Sequence, residues 1–107
     1  TLEDHRSFVK NNPYRAWYII KDNSHTIGSV YVKFDNSIGL NCNDNISNGE
    51  IKNILNLVCS KTSPLKAEPS VRPSNFFINV ASSNKSLQQK LSSIGLVEIQ
   101  RTYIINN

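Results

Sequence analysis

The segment Phe76–Tyr103 limits the folds open to this chain more than any other stretch of its sequence. It opens with an apolar run, Phe76–Val80, that has the length of a buried strand. Small polar residues that can cap a helix follow, and apolar residues then recur at helical spacing at Leu87, Leu91 and Ile94. The segment therefore predicts a strand followed by a helix.

The end of this helix is marked in the sequence, and so is the element after it. Gly95 stands where a left-handed helix C-cap favours a residue without a Cβ atom. After it, one side of a strand-like pattern is mostly apolar and the other is polar: Val97, Ile99, Arg101, Tyr103 and Ile105 alternate with Glu98, Gln100 and Thr102. The whole unit is predicted to run as strand, helix led by Asn84, glycine stop and strand.

The first half of the chain predicts a helix and then an antiparallel meander. Leu2–Lys10 has the pattern of a helix end, which Pro13 terminates because the residue before a proline avoids the helical region. Turn-forming Asp, Asn and Ser residues separate the strand-like stretches that follow. The predicted strands are Ala16–Ile20, apolar on both faces, Thr26–Phe34 and Ile38–Asn43.

A second helix is predicted to begin at Ser47, since Ser47 and Glu50 have the spacing of a capping box. Residues 63–74 contain three prolines and are predicted to form a loop. A helix between the third strand of the meander and Phe76–Val80 makes a crossover, which requires those two strands to be parallel. Residues 1–107 are therefore predicted to form a single α/β domain.

Composition narrows the classes of function. The net charge of +4 suits either a basic soluble surface or attraction for an anion such as a cofactor phosphate. Basic residues form no stripe interleaved with aromatic ones, which argues against nucleic-acid binding. Cys42 and Cys59 form neither a disulfide framework nor a metal-binding pattern, and free thiols fit a reducing cytoplasm. No apolar stretch approaches the roughly 18–20 residues of a membrane span, so no membrane partner is expected.

The predicted order of elements, with the sequence INVASSN at residues 78–84 and IGLVEIQRTY at residues 94–103, resembles the closing half of the GNAT N-acetyltransferase superfamily. The resemblance extends from the family's second helix and second strand to the end of the chain. It implies a GNAT-like fold, with a mixed and mostly antiparallel sheet flanked by helices, shortened by the family's first strand and first helix.

The resemblance also implies acetyl-CoA as co-substrate and transfer of the acetyl group to an amine of unknown identity. In the family, the pantetheine arm lies between the splayed fourth and fifth strands, where backbone groups of the fourth strand hold it and steady the oxyanion. The positions implied for this arm are Leu40, Asn41, Cys42 and Asn43 on the fourth strand, Asn79 on the fifth strand and Asn84 at the following helix.

The family binds the cofactor pyrophosphate with an Arg/Gln-x-x-Gly-x-Gly/Ala loop at a helix start, where free N–H groups attract anions. The corresponding residues here are Ser47, Asn48, Gly49 and Lys52, with Glu50 where a glycine is expected. A carboxylate at Glu50 competes with a pyrophosphate for the same N–H groups. Two interpretations stay open: a degenerate cofactor loop, or a well-capped helix without a ligand.

The sequence assigns no catalytic residue. Many family members carry a general-acid tyrosine seven residues after the helix-leading Asn, and that position is Leu91 here, which fits the apolar core. Asp35 and Asp44 have the context of turn residues, and Cys42 has no visible His or Asp partner. The alternative function is a non-catalytic GNAT-like binding module. A third interpretation is a subunit, for example of a homodimer, whose missing strand comes from another chain.

Overall fold

The computed structural model describes residues 2–4, 14–22 and 25–106. Within these ranges, a five-stranded sheet is accompanied by two helices, which confirms the predicted α/β class. The strands are β1 (Leu2–Asp4), β2 (Tyr14–Asp22), β3 (His25–Lys33), β4 (Ser37–Cys42) and β5 (Phe77–Ile78). The helices are α1 (Asn48–Lys61) and α2 (Lys85–Ser93).

The strands lie in the sheet in the order of the sequence, from β1 at one edge to β5 at the other. Pairing is antiparallel from β1 to β4 and parallel between β4 and β5. The parallel pair follows from the α1 crossover, as the sequence predicted. β4 therefore pairs with the antiparallel meander on one side and with the strand after the crossover on the other.

The core lies between one face of the sheet and the two helices. Alternate residues of β2 and β3 are buried on that face, with Val30 and Val32 entirely enclosed. Trp17 and Ile19 on the opposite face of β2 are only half buried, so this strand is covered mainly on one side. The helices contribute four buried side chains to the same cluster, namely Ile51, Ile54, Val58 and Leu91.

Both helix ends that the sequence marked have the predicted geometry. Ser47 is the N-cap of α1, and the reciprocal Ser47–Glu50 capping box is complete. At the end of α2, the Leu96 N–H donates to the Leu91 carbonyl and the Gly95 N–H donates to the Ser92 carbonyl. This pair of bonds is a Schellman motif, and the φ of +99° at Gly95 explains why a glycine is needed there.

The crossover loop between α1 and β5 is fixed to the sheet by a turn residue. Asn36, in the turn between β3 and β4, is fully buried and has a φ of 70°. Its amide group donates to the carbonyls of Leu65 and Pro73 and accepts from the Leu65 N–H, each at 2.8 Å. The loop predicted over residues 63–74 is confirmed. The Asn36 side chain binds it near both ends, at Leu65 and at Pro73.

Three predicted elements differ from the structure. The helix expected over Leu2–Lys10 is wrong at Leu2–Asp4, which forms β1 by pairing with β2, while residues 5–10 lie outside the described part. The strand expected over Phe76–Val80 is reduced to β5. The strand expected from Val97 to Ile105 is absent, because residues 96–106 pair with no strand among the described residues.

Candidate functional site

β4 and β5 are paired only where both begin. Their register joins Ser37 to Phe77 and Ile38 to Ile78, after which β5 ends and β4 continues to Cys42. The remainder of β4 stays paired with β3 on its other side. The two parallel strands therefore diverge and leave the second half of β4 exposed along one side.

Backbone groups of β4 point into this divergence. Asn43 donates to the carbonyl of Ile27 on β3, and hydrogen bonding along an antiparallel ladder alternates from one residue to the next. The N–H and carbonyl of Leu40 and Cys42 therefore face away from β3. They form a row of polar groups to which an extended, amide-containing ligand can bind as an added strand.

A cleft forms between this side of β4 and the start of α2. We call it the β4–β5 cleft, and it encloses about 60 Å³. It is lined on one side by residues 40–44 and Ile46, and on the other by Asn84, Ser86, Leu87 and Lys90. Five of the predicted cofactor positions are thus brought together: Leu40, Asn41, Cys42, Asn43 and Asn84.

The α2 side of the cleft is held in place by local hydrogen bonds. The side-chain oxygen of Asn84 accepts from the Leu87 N–H at 3.2 Å, so Asn84 is the helix cap that the sequence predicted. Gln88 donates from its amide to the carbonyls of Ala81 and Ser82. These bonds fix the turn that leads into α2 and with it the position of the cleft wall.

Lys90 connects the two walls of the cleft. Its ammonium group donates to the backbone carbonyl of Asp44, which joins the middle of α2 to the loop after β4. Lys90 does not stand out in the sequence as a candidate site residue. The signal it carried was its spacing of three residues from Leu87, which places both side chains on one face of the helix.

The Cys42 thiol lies in the cleft between charges of opposite sign. Burial and the nearby Glu50 carboxylate raise its pKa, while the Lys90 ammonium opposes the shift. The thiol is therefore protonated at neutral pH. This agrees with the interpretation of Cys42 as a packed strand residue, and it places the start of α1 within electrostatic range of the cleft.

The predicted phosphate-binding residues lie at the exposed start of α1. Glu50 donates its N–H to the Ser47 hydroxyl and accepts from the Ser47 N–H, both at 3.1 Å. The Ser47 backbone N–H, first of all, and the Ser47 hydroxyl lower the pKa of the Glu50 carboxyl group and keep it ionised. Gly49 has open space around it, since a Cβ atom added there would lie 4.0 Å from its nearest neighbour, the Ser47 hydroxyl oxygen. Asn48 and Lys52 are exposed, and none of these residues lines the β4–β5 cleft.

Asn79 lies apart from the other predicted cofactor positions. It lines a second, larger and more open depression of about 500 Å³ at the β5 edge of the sheet. We call this depression the edge hollow. It is bounded by Asp35, residues 68–73, Phe77, Asn79 and, from the chain after α2, Gln100.

The candidate catalytic positions have structural explanations. Leu91 is buried in the core, as its place on the apolar face of α2 predicted. Asp35 is a turn residue whose carboxylate accepts from the N–H and hydroxyl of Ser37 at 2.9 and 2.6 Å. Burial opposes ionisation of Asp35, but these bonds outweigh it and lower its pKa. Across the described ranges, no group of three or more His, Cys, Asp or Glu side chains is placed to hold a metal ion.

The chain was compared with known protein families, proteins and structures. Neither the protein-family models, nor the curated proteins, nor the solved structures gave a significant match to the chain. In the portion of the chain that is described, no helix has both the length and the apolar character to cross a lipid bilayer. Any assignment of function therefore rests on the chain's own sequence and geometry.

Proposed function

We propose that this chain is a GNAT-like N-acetyltransferase that binds acetyl-CoA in the β4–β5 cleft and transfers the acetyl group to an amine. The observation that carries the proposal is the divergence of β4 and β5 after Ile38 and Ile78, beside a helix that starts just after β4. The pantetheine arm is a linear chain with two amides, and it can pair with the backbone of Leu40 and Cys42 as a strand does.

In this proposal the backbone supplies the chemistry of the acyl transfer. A neutral amine attacks the thioester carbonyl directly, and N–H groups of β4 near Leu40–Cys42 stabilise the oxyanion that forms. The C–S bond then breaks, the amide is released, and CoA leaves as a thiolate that takes up the proton lost by the amine nitrogen. The thiol of Cys42 stays protonated and takes no part as a nucleophile. The net charge of +4 favours approach of the anionic cofactor.

Cofactor binding requires the cleft to open. Its volume of about 60 Å³ is far below the ~300 Å³ at the lower end of ordinary ligand sites. The contact between Lys90 and the Asp44 carbonyl spans the cleft, so its release is the motion that admits the arm. A released Lys90 ammonium then lies beside the cofactor, where it can bind an anionic or carbonyl oxygen.

Calorimetric titration with acetyl-CoA tests the proposal, with free CoA and dephospho-CoA alongside. The matched variants are Ser86→Trp, which places bulk in the cleft, and Gln89→Trp, which adds the same bulk on an exposed part of α2 outside the lining. Saturable micromolar binding that Ser86→Trp abolishes and Gln89→Trp retains supports the cleft as the cofactor site. No heat and no thermal stabilisation at millimolar cofactor refutes the transferase proposal.

A specific observation favours the alternative, a non-catalytic GNAT-like module. The capping box at Ser47 and Glu50 is complete, so the helix start that binds pyrophosphate in the family carries an ionised carboxylate here. Glu50→Gln removes the charge while keeping a capping-box partner, and Glu50→Gly removes both. If the loop contacts the cofactor, both variants tighten acetyl-CoA binding. Unchanged affinity in both shows that the loop does not contact it and favours the module.

A further inference from the structure

The first turn of α1 contains a chemically reactive pair of residues. Asn48 and Gly49 form the one Asn-Gly dipeptide of the chain. Asparagine is among the thermolabile residues, because the backbone nitrogen of the next residue can attack its side-chain amide and close a succinimide ring. Glycine in the next position favours this attack, since it has no Cβ atom to shield its nitrogen and its backbone adopts more conformations. On sequence alone, Asn48 is therefore the asparagine most prone to this reaction.

Both reacting groups are accessible in the structure. Asn48 is exposed, and its side chain has no hydrogen-bond partner among the described residues. The Gly49 N–H is one of the helix-start donors that have no acceptor in a preceding turn. The two Ser47 acceptors at this helix start bind other donors, since the hydroxyl accepts from the Glu50 N–H and the carbonyl accepts from the Ile51 N–H. A Cβ atom at Gly49 would lie 4.0 Å from its nearest neighbour, so no described residue outside the helix start crowds it.

Asn36 is protected from the same reaction. It precedes Ser37, another small residue that favours ring closure, yet it is fully buried. Its side-chain amide is bonded to Leu65 and Pro73. The Ser37 N–H, whose nitrogen would have to attack it, donates to the Asp35 carboxylate at 2.9 Å. The fold therefore distinguishes this dipeptide from the one in α1 by hydrogen bonding as well as by burial.

Ring closure requires the first turn of α1 to open. Helical backbone angles at Asn48 keep its side-chain carbon away from the Gly49 nitrogen. The turn is held by the exposed Ser47–Glu50 capping box and by the bond from the Ile51 N–H to the Ser47 carbonyl. Helix ends are among the least stable parts of a fold, and a glycine inside the turn weakens it further. The strength of the capping box therefore sets how often the reactive arrangement forms.

We propose that Asn48 is a site of spontaneous modification: when the first turn opens, the Gly49 nitrogen converts the Asn48 amide to a carboxylate through a succinimide. The bond from the Gly49 nitrogen to Asn48 Cγ forms, the Cγ–Nδ2 bond breaks, and ammonia leaves with the proton from the Gly49 N–H. Water then opens the ring at one of its two carbonyls. Opening at Cγ gives aspartate, and opening at the main-chain carbonyl gives isoaspartate. The reaction needs only water, and neither acetyl-CoA nor the β4–β5 cleft takes part.

Both products change the start of α1. Each places a second carboxylate beside that of Glu50 and lowers the net charge of the chain by one unit from +4. In isoaspartate, the main chain runs through the former side chain and is longer by one carbon atom between Ser47 and Glu50. The capping box then loses its register, because its two bonds need the Ser-x-x-Glu spacing. Modification of Asn48 therefore makes this helix end less attractive to anions and, in the isoaspartate form, loosens it.

Peptide mapping of the folded chain after incubation in mildly alkaline buffer tests the proposal. Mass spectrometry reads the change from amide to acid, and labelling by an isoaspartyl methyltransferase identifies isoaspartate. We expect Asn48 to convert while Asn36 stays intact, and both to convert when the chain is unfolded in urea. Gly49→Ala, which the open space at this position accommodates, should reduce conversion to the level of the other exposed asparagines.

Three results of this mapping overturn the proposal. The first is an Asn48 that converts in urea but stays intact in the folded chain. The second is equal conversion of Asn36 and Asn48 in the folded chain, which would show that the hydrogen bonds of Asn36 do not protect it. The third is conversion in Gly49→Ala that is as fast as in wild type.

Two serine variants test the role of the first turn. Ser47→Ala removes the cap, and Ser60→Ala removes a hydroxyl that donates to the Leu57 carbonyl near the other end of the same helix. We expect Ser47→Ala to speed the conversion of Asn48 roughly fivefold, the factor by which loss of a helix cap shifts an opening equilibrium. Ser60→Ala should leave the rate unchanged, and circular dichroism confirms that each variant is folded. Equal rates in Ser47→Ala and wild type also overturn the proposal, because conversion would then not pass through the open turn.

Discussion

Asn36 and Leu65, which are 29 residues apart in the sequence, exchange two hydrogen bonds of 2.8 Å between the side chain of one and the backbone of the other. The Asn36 amide nitrogen also donates to the Pro73 carbonyl. The turn before β4 and the loop before β5 are thereby joined. Because β4 begins at Ser37 and β5 at Phe77, whose N–H donates to the Asn36 carbonyl, Asn36 helps to position the start of the parallel pair.

The first prediction concerns the cost of removing this side chain. Asn36→Ala leaves the Leu65 N–H and the carbonyls of Leu65 and Pro73 without their partner. It also places alanine, which tolerates a positive φ less well than asparagine, at a φ of 70°. We expect a loss of about 2–4 kcal/mol in the free energy of unfolding, measured by urea titration. Asn36→Gly loses the same hydrogen bonds but tolerates the φ, so it should be less destabilised by about 0.5–1 kcal/mol. Equal stability of wild type and Asn36→Ala would contradict the role of the contact.

The second prediction follows from the lowered pKa of Glu50. A carboxyl group whose pKa in the folded state lies below its unfolded value of 4.5 stabilises the fold above that pH. This contribution is lost as the pH falls through the folded-state pKa. We therefore measure the urea midpoint of wild type minus that of Glu50→Gln. We expect this difference to decrease as the pH is lowered from 6 to 3, because the Glu50 carboxyl group becomes protonated in this range.

Comparing wild type with Glu50→Gln removes the contribution of the other carboxyl groups to the pH dependence. Asp35 also has a lowered pKa, but it is present in both proteins, so its contribution cancels in the difference. A difference in midpoint that stays constant from pH 6 to pH 3 would show that Glu50 is not held by the capping box in solution.

Local signals in the sequence predicted the local structure well. The Ser47–Glu50 spacing and Gly95 each specify a helix end through contacts within a few residues, and both ends form as expected. Asn36 could not be recognised in this way, because its partners are Leu65 and Pro73, far away in the sequence. The same limit applies to the candidate site, where Lys90 bonds to the carbonyl of Asp44 across the cleft.

Strand predictions failed where pairing decides the structure. The pattern from Val97 to Ile105 is that of a strand, but a strand forms only when it pairs with another strand. Residues 96–106 pair with none of the strands in the described part of the chain. Leu2–Asp4 shows the converse, since pairing with β2 makes it a strand in a segment with a helical pattern. The family resemblance places Asn79 on the fifth strand with the cofactor positions, whereas β5 ends at Ile78 and Asn79 lines the edge hollow.

The third prediction concerns the two cysteines as reporters of the cleft. Cys59 is exposed, whereas Cys42 is half buried with a raised thiol pKa. Because alkylation needs the thiolate, iodoacetamide at pH 8 should modify Cys59 first and Cys42 much more slowly. Under the proposed function, acetyl-CoA slows the alkylation of Cys42 further and leaves that of Cys59 unchanged, as read by mass spectrometry of the intact chain and its peptides. Equal protection of both thiols would point to a global effect rather than to binding in the cleft.

The fourth prediction concerns the sheet face opposite the core. Gly39 on β4 lies opposite Tyr31 on β3, and a Cβ atom added to Gly39 would overlap the Tyr31 ring. That ring cannot move freely, since its centroid lies 4.5 Å from the ring of Tyr14. Gly39→Ala should therefore lower the free energy of unfolding by about 1–3 kcal/mol, as overpacking does elsewhere.

A double-mutant cycle with Tyr31→Ala identifies the cause of this loss. Removing the ring makes room for the methyl group, so in the Tyr31→Ala background Gly39→Ala should cost nothing or be slightly stabilising, because alanine restricts the unfolded chain more than glycine. The coupling energy between the two positions should then be at least about 1 kcal/mol. If Gly39→Ala costs the same with and without the ring, the glycine is required by its backbone conformation and not by the approach of Tyr31.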